Sequence, residues 1–226
     1  MDTATLADDR IEQVRAYESA QSPEKAIESA QFAHSLVDII VDFIRPGVKE
    51  SEVKQFATDL FEKNGVERIW HQPYINFADH TLLIFKQKPT EDYTLQEEDI
   101  AFVDIGVVKG GIEGDAGRTI VFGDVPEYRR LQKASETIFS LARQFWKKYD
   151  PEGVELYQHI HELAEEMDVL FNLDPAGHLI GEFPHRGWKK GINNFPEKIK
   201  SGCWILEIQV CNTSREFGAF YEDLLY

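Results

Sequence analysis

Two aspartates, Asp104 and Asp115, stand eleven residues apart in AFVDIGVVKGGIEGDAGRTIVFGD, each within an apolar run and separated by Gly110 and Gly111. The glycine pair predicts a hairpin whose second strand begins near Gly114, so that each arm carries one carboxylate. A buried carboxylate is costly unless it is paired, hydrogen-bonded or bound to a metal, and two in neighbouring strands call for a shared counter-charge. A local alternative has Asp115 capping a turn and Asp104 paired with Arg118. Downstream, PAGHLIGEFPHRGW places His178 and His185 seven residues apart in sequence too rich in glycine and proline for a regular helix. Gly177 and Gly181 flank His178, as they would where backbone must approach another group closely. Glu207 then interrupts the apolar run WILEIQV, and Glu222 sits among aromatics in AFYEDLLY. Four acids and one imidazole in apolar strand or tight-loop settings are the donor set expected for two divalent ions such as manganese, cobalt, zinc or iron, because carboxylates can bridge and imidazole cannot. Such ions acidify a water and polarise a carbonyl, which is hydrolysis without a covalent enzyme intermediate. No glycine-rich phosphate loop, nucleophile-elbow serine or cysteine in an activating context competes with this reading.

The elements that must position these residues read as follows. Residues 1–21 are polar and expected to be mobile, and residues 22–226 to form one catalytic domain. Ser22 and Pro23 predict the cap and first position of a long amphipathic helix reaching Ile44, stopped by Pro46 and Gly47. A second helix carries Val53, Phe56, Ala57, Leu60 and Phe61 and ends near Asn64 and Gly65. Strand-like runs cover 75–77, 81–85, 100–108 and 119–122; helical patterns follow over 126–148 and 153–167, then a loop over 174–196, then strands over 204–210 and 219–225. This order predicts an α+β fold, with helices packed on the outer face of a curved, mostly antiparallel sheet.

Composition narrows the partners. With 40 acidic against 24 basic side chains the net charge is −16, a surface that repels nucleic acid and anionic lipid. At 226 residues with 42% apolar content, one large globular domain is expected. Cys203 and Cys211 are the two cysteines, too few for a disulfide framework or a thiolate zinc knuckle, and are read as buried and reduced. The N-terminal MDTATLADDRIEQ lacks the features of a signal peptide and no apolar run reaches membrane length, so a cytoplasmic location is expected.

Taken together, the helical IRPGVKESEV segment, VDIG with GDAGRT, GHLIG with the later PH, and the two late glutamates resemble the methionine aminopeptidase, prolidase, aminopeptidase P and creatinase family, peptidase M24. The resemblance runs through most of the chain and implies the pita-bread fold and a dinuclear metallopeptidase or related hydrolase. It implies Asp104, Asp115, His178, Glu207 and Glu222 as metal ligands, with Asp115 and Glu222 bridging and Glu207 also shuttling the water's proton. It further implies His185 at the substrate carbonyl and His71, in IWHQPYINF, on the opposite wall, with His80 a nearby competitor. Arg118 and Thr119 are expected to orient Asp115. Where family members commonly carry acids after the second histidine this chain has Arg186, Gly187 and Trp188; Arg186 could recognise a substrate carboxylate or cap a loop. The extra N-terminal domain of prolidases is not expected from these residues. The substrate is expected to be a short peptide, with a small non-peptide amide, or no turnover at all in a silent binding module, as alternatives; a homodimer would be ordinary.

Overall fold

The computed structural model describes residues 3–84, 87–172, 176–184, 188 and 190–226. Its helices begin with α1 (Thr3–Ala20) and α2 (Pro23–Phe43). Ser22 starts α2 by accepting a hydrogen bond from the Lys25 N–H, Pro23 occupies the first turn, and the chain turns extended at Ile44 just ahead of Pro46. Its buried stripe of Ala26, Ala30, Ala33, Val37 and Ile40 follows helical spacing. Then come α3 (Glu50–Lys63) and the strands β1 (Arg68–Phe77), β2 (Asp99–Lys109) and β3 (Ile112–Phe122), with a single 3-10 turn over Ala78–Leu82 between β1 and β2. Helices α4 (Pro126–Tyr149) and α5 (Gly153–Glu166) precede β4 (Leu170–Asn172), the two-residue β5 (His178–Leu179), β6 (Trp204–Cys211) and β7 (Gly218–Leu224).

The described strands make one sheet in the order β1-β2-β3-β7-β6-β4, with β5 also paired to β6, and every pairing is antiparallel. Strand alternation sends Ala101, Val103, Ile105 and Val107 of β2 and Ala116 of β3 into a core shared with α2 and α3. In the other half, Leu206, Ile208 and Val210 of β6 and Ala219 of β7 pack with α4 and α5. The helices therefore cover one face, and the opposite face carries the acids together with Phe102 and Phe220. This is the α+β arrangement the sequence predicts. Cys203 and Cys211 are buried and free, and no described helix is long and apolar enough to cross a membrane.

Two expectations change. The N-terminal segment expected to be mobile is helical as α1, because its Val14 is fully buried in the α4–α5 core and its Glu18 accepts the Trp204 indole N–H at 2.6 Å. Residues 81–84 do not form a strand. Ala78 adopts a left-handed φ of 50° that turns the chain out of β1, and the Gln209 amide then binds the carbonyls of Thr81 and Leu83 at 3.2 and 3.1 Å, which removes them from any ladder.

The joint between β3 and β7 is short, with paired positions only at Gly117↔Glu222 and Arg118↔Tyr221. The Thr119 hydroxyl extends it, accepting from the Phe220 N–H at 2.7 Å and donating to the Phe220 carbonyl at 3.0 Å. Thr119→Val keeps the shape but strands both buried backbone groups, so unfolding stability should fall by about 1–3 kcal/mol; chemical denaturation of the two proteins checks this.

Candidate metal centre

Sheet register assembles the acids into a row. Asp104 lies opposite Gly117, Gly117 opposite Glu222, and Glu222 opposite Glu207, so β2, β3, β7 and β6 each contribute at the same level. Asp115 sits two residues from Gly117 and therefore on the same face. The one position in the row without a side chain is Gly117, where a Cβ would lie 3.2 Å from Glu222 Oε2 and 2.5 Å from the Phe220 ring. The tight Gly110–Gly111 turn, with both φ positive at 61° and 73°, fixes this register.

Two imidazoles close on the row from opposite sides. His178 reaches it from β5, and its Nδ1 lies 2.9 Å from the Leu179 carbonyl. A carbonyl only accepts, so Nδ1 carries the proton and Nε2 faces Asp115 Oδ2 at 3.1 Å, Glu207 Oε1 at 3.8 Å and Glu222 Oε1 at 4.0 Å. His71 comes from β1, where the pairing with β2 shifts register on both sides of it, a bulge that re-aims the side chain. Its Nδ1 likewise donates to the Gln72 carbonyl at 2.9 Å, leaving Nε2 at 3.4 Å from both Asp104 Oδ1 and Asp115 Oδ1. Each oxygen of Asp115 thus meets a different imidazole. The ring of His71 occupies the space over Gly106, whose missing Cβ would fall 2.3 Å from it.

The electrostatics of this cluster favour a cation. Burial pushes the Glu207 carboxyl up to about 8 and Asp104 to about 6, each partly offset by a nearby histidine, and burial with the surrounding acids holds Glu222 well above the ordinary range. Burial also opposes the Asp115 charge, but hydrogen bonds from His178 and His71 outweigh it and keep that carboxyl low. The same acids raise His178 to about 9 and His71 to about 10 against the effect of burial. Asp104 Oδ1 and Glu222 Oε2 are buried and receive no hydrogen bond from a permanent donor among the described residues. Donor atoms of His71, Asp104 and Asp115, and of Asp115, His178 and Glu222, form two groups each close enough to surround one ion, with Asp115 in both. The residues fit divalent metal: hard oxygens able to bridge, imidazole nitrogens with fixed tautomers, and buried acids crowded against one another.

A cavity of about 460 Å³ opens over the row. Its wall is largely apolar, formed by Trp70, Tyr74, Leu83, Ile84, Phe102 and Phe220, with Trp188 and Lys190 on the side of the His178 loop and Gln209 beside the acids. The Trp70 ring meets both histidines edge-on, 4.7 Å from His71 and 5.0 Å from His178.

The model of metallopeptidase family M24 matches residues 24–226. The chain belongs to this family. A methionine aminopeptidase of Staphylococcus epidermidis is 25% identical over 174 residues, which are 73% of this chain and 67% of that protein. Among solved structures, the prolidase from Pyrococcus horikoshii OT3 superposes with a TM-score of 0.69 at 23% identity, covering 90% of this chain and 59% of the prolidase. The methionine aminopeptidase from Rickettsia prowazekii gives 0.68 at 18% identity, covering 88% and 90%. These likenesses show the pita-bread fold, and the chain spans about three fifths of the length of the prolidase.

Of the residues singled out in the sequence, this M24 domain brings together Asp104, Asp115, His178, Glu207, Glu222 and His71, with Trp188 on the cavity wall. His71 stands closer than a far-wall residue, directly against the aspartates. His185 and Arg186 lie outside the described residues. Three expectations are corrected. His80 is away from the cavity: the turn at Ala78 swings it to Glu50, whose Oε1 it meets at 2.9 Å, and it is buried there. Arg118 is one residue off the phase of Asp115 and so points to the helix face, pairing with Asp38 at 2.6 Å; this also removes the alternative pairing with Asp104. Thr119 is on the correct face but binds β7 rather than Asp115.

Sequence reading missed Phe102, Phe220 and Gln209, yet each lies two residues from an acid already identified, where strand alternation returns to the same face. Trp70 and Lys190 carried no such signal. Because Gly106 leaves room for the His71 ring, Gly106→Ala should displace it and lower kcat/KM on peptides by about 100-fold, the scale expected of an ångström-sized misplacement. Circular dichroism should show the fold retained, and steady-state kinetics measures the loss.

Proposed function

We propose that this chain is a dinuclear metallo-exopeptidase that hydrolyses the terminal amide bond of short peptides, within a catalytic domain spanning 22–226. The observation that carries the reading is the row Asp104–Glu222–Glu207 with Asp115 set between two imidazoles that both present Nε2. Asp104, Asp115, His178, Glu207 and Glu222 would hold two divalent ions of the manganese, cobalt, zinc or iron kind. When bound, such ions supply an acidified water and polarise the scissile carbonyl.

The chain's own groups supply the rest. Asp115, with one oxygen turned to each side of the cluster, is the natural bridge. Glu207 lines the cavity beside the other acids, placed to take a proton from the nucleophile and return it to the leaving amine. His71 is placed to hydrogen-bond the substrate, and His185 keeps the carbonyl-facing role the family resemblance implies. The apolar wall excludes water and favours a peptide bearing a bulky apolar side chain over a small polar amide. A silent binding module would have no use for so many buried acids without a cation.

The decisive experiment is metal titration with activity. Wild type should bind divalent metal and cleave peptides, whereas Asp115→Asn should lose metal-dependent turnover while staying folded; absence of metal binding in wild type, or normal turnover in the variant, refutes the proposal. Without metal at pH 7, His178 and Glu207 hold protons, and burial among the other acids favours the protonated form of Glu222. Cation binding must displace them, so affinity should rise with pH and weaken further below about 6, where Asp104 also protonates. Calorimetry in buffers of different ionisation heat reads the released protons.

Among the described cavity residues, Lys190 carries the one permanent positive charge, its Nζ 5.8 Å from the Trp188 ring centroid. Lys190→Ala should raise KM several-fold for peptides with a free C-terminal carboxylate and leave the corresponding amides unchanged, at the order of about 1 kcal/mol for an exposed charge pair.

A further inference from the structure

Helix α1 and Gln21 precede the residues that match the M24 family, yet they grip the strand pair that carries His178. On one side, buried Glu18 accepts the Trp204 indole N–H at 2.6 Å, and Trp204 is the residue paired with Leu179 next to His178. The Glu18 carbonyl also accepts the Lys200 ammonium at 2.7 Å. On the other side, Gln21 Oε1 accepts the Glu182 N–H at 2.9 Å and the Tyr17 hydroxyl donates to the Glu182 carbonyl at 3.2 Å. Glu182 follows His178 by four residues and is bridged to Ile112 of the aspartate hairpin. β5 itself is two residues long and pairs with one strand, too little ladder to fix an imidazole by itself.

From this we infer that Glu18 and Gln21 are positioning residues for the metal centre: α1 and Gln21 clamp the partner strand of β5 at Trp204 and the chain after β5 at Glu182, and thereby set where His178 Nε2 points. The inference rests on the proposed metal site, but its geometric part can be read without metal. α1 lines no part of the cavity, so its effect on the centre must pass through the backbone at Leu179 and Glu182.

The test uses the full chain with Glu18→Ala, Glu18→Gln and Gln21→Ala. Manganese or cobalt titration should show affinity lowered by roughly tenfold or more in the two alanine variants, the scale found when a group supporting a ligand is removed. Glu18→Gln, which keeps an acceptor for the indole, should restore most of it. In metal-free protein the His178 imidazole resonances should shift in the alanine variants and return in Glu18→Gln. A merely structural α1 would lower melting temperature without moving either readout. Should Glu18→Ala not fold, Gln21→Ala, at a half-buried position, carries the test. Affinity within twofold of wild type together with unshifted His178 resonances in a folded variant overturns the inference, whereas wild type that binds no metal overturns the site while the resonance shift still decides the clamp.

Discussion

Four carboxyl groups converge on one buried patch of the sheet face, and the rest of the molecule is arranged around making that tolerable. Two imidazoles provide at most two positive charges against them, and Asp115 meets both while Asp104 shares one, that of His71. The Asp115 carboxylate is therefore the acid held lowest by the protein itself, while burial raises Asp104 to about 6 and Glu207 to about 8 and pushes Glu222 well above the ordinary carboxylate range. A metal-binding site of this kind is stored electrostatic strain, with folding supplied by the helix-covered face and the cost confined to the other.

Bringing the acids so close needs absences as much as contacts. Gly117 lies in the middle of the row and Gly106 beside it, and each lacks the atom that would push a neighbour away. The bulge in β1 then turns His71 into the room over Gly106, while on the far side His178 arrives on a strand only two residues long. The two histidines have matching tautomers by the same device, a neighbouring backbone carbonyl that takes the Nδ1 proton. What differs is their support: β1 is a full strand in a ladder, whereas β5 depends on what flanks it.

Much of this was legible from sequence wherever the signal was local. The α2 cap at Ser22 and Pro23, the Gly110–Gly111 turn and the spacing of Asp104 and Asp115 each follow from nearest-neighbour chemistry, and the structure matches them. Strand phase was readable too, and should have excluded Arg118 from a role beside Asp115, since an odd separation in a strand changes face. Illegible were features decided by distant partners. α1 has little apolar periodicity and is held by Trp204 and Glu182. The stretch 81–84 has strand-like composition, but its carbonyls are taken by Gln209 from β6. His80 resembled a site histidine because its partner, Glu50, lies 30 residues away at the start of another helix.

The same division explains why chemistry is easier to read here than specificity. The ligand row is built by strand register, which period-two sequence pattern encodes directly, so the acids could be found singly and then seen to coincide. The cavity wall combines residues from β1, β2, β6, β7 and two connecting loops, and no single periodicity links Trp70, Ile84 and Lys190. Register thus carries the acid row, while the loops around Leu83 and Trp188 shape what fits above it. The loop at Leu83 is tied to β6 by Gln209, and Trp188 is held by its indole bond to the Gly191 carbonyl and by the Phe195 ring, so the two sides of the cavity mouth have different anchors.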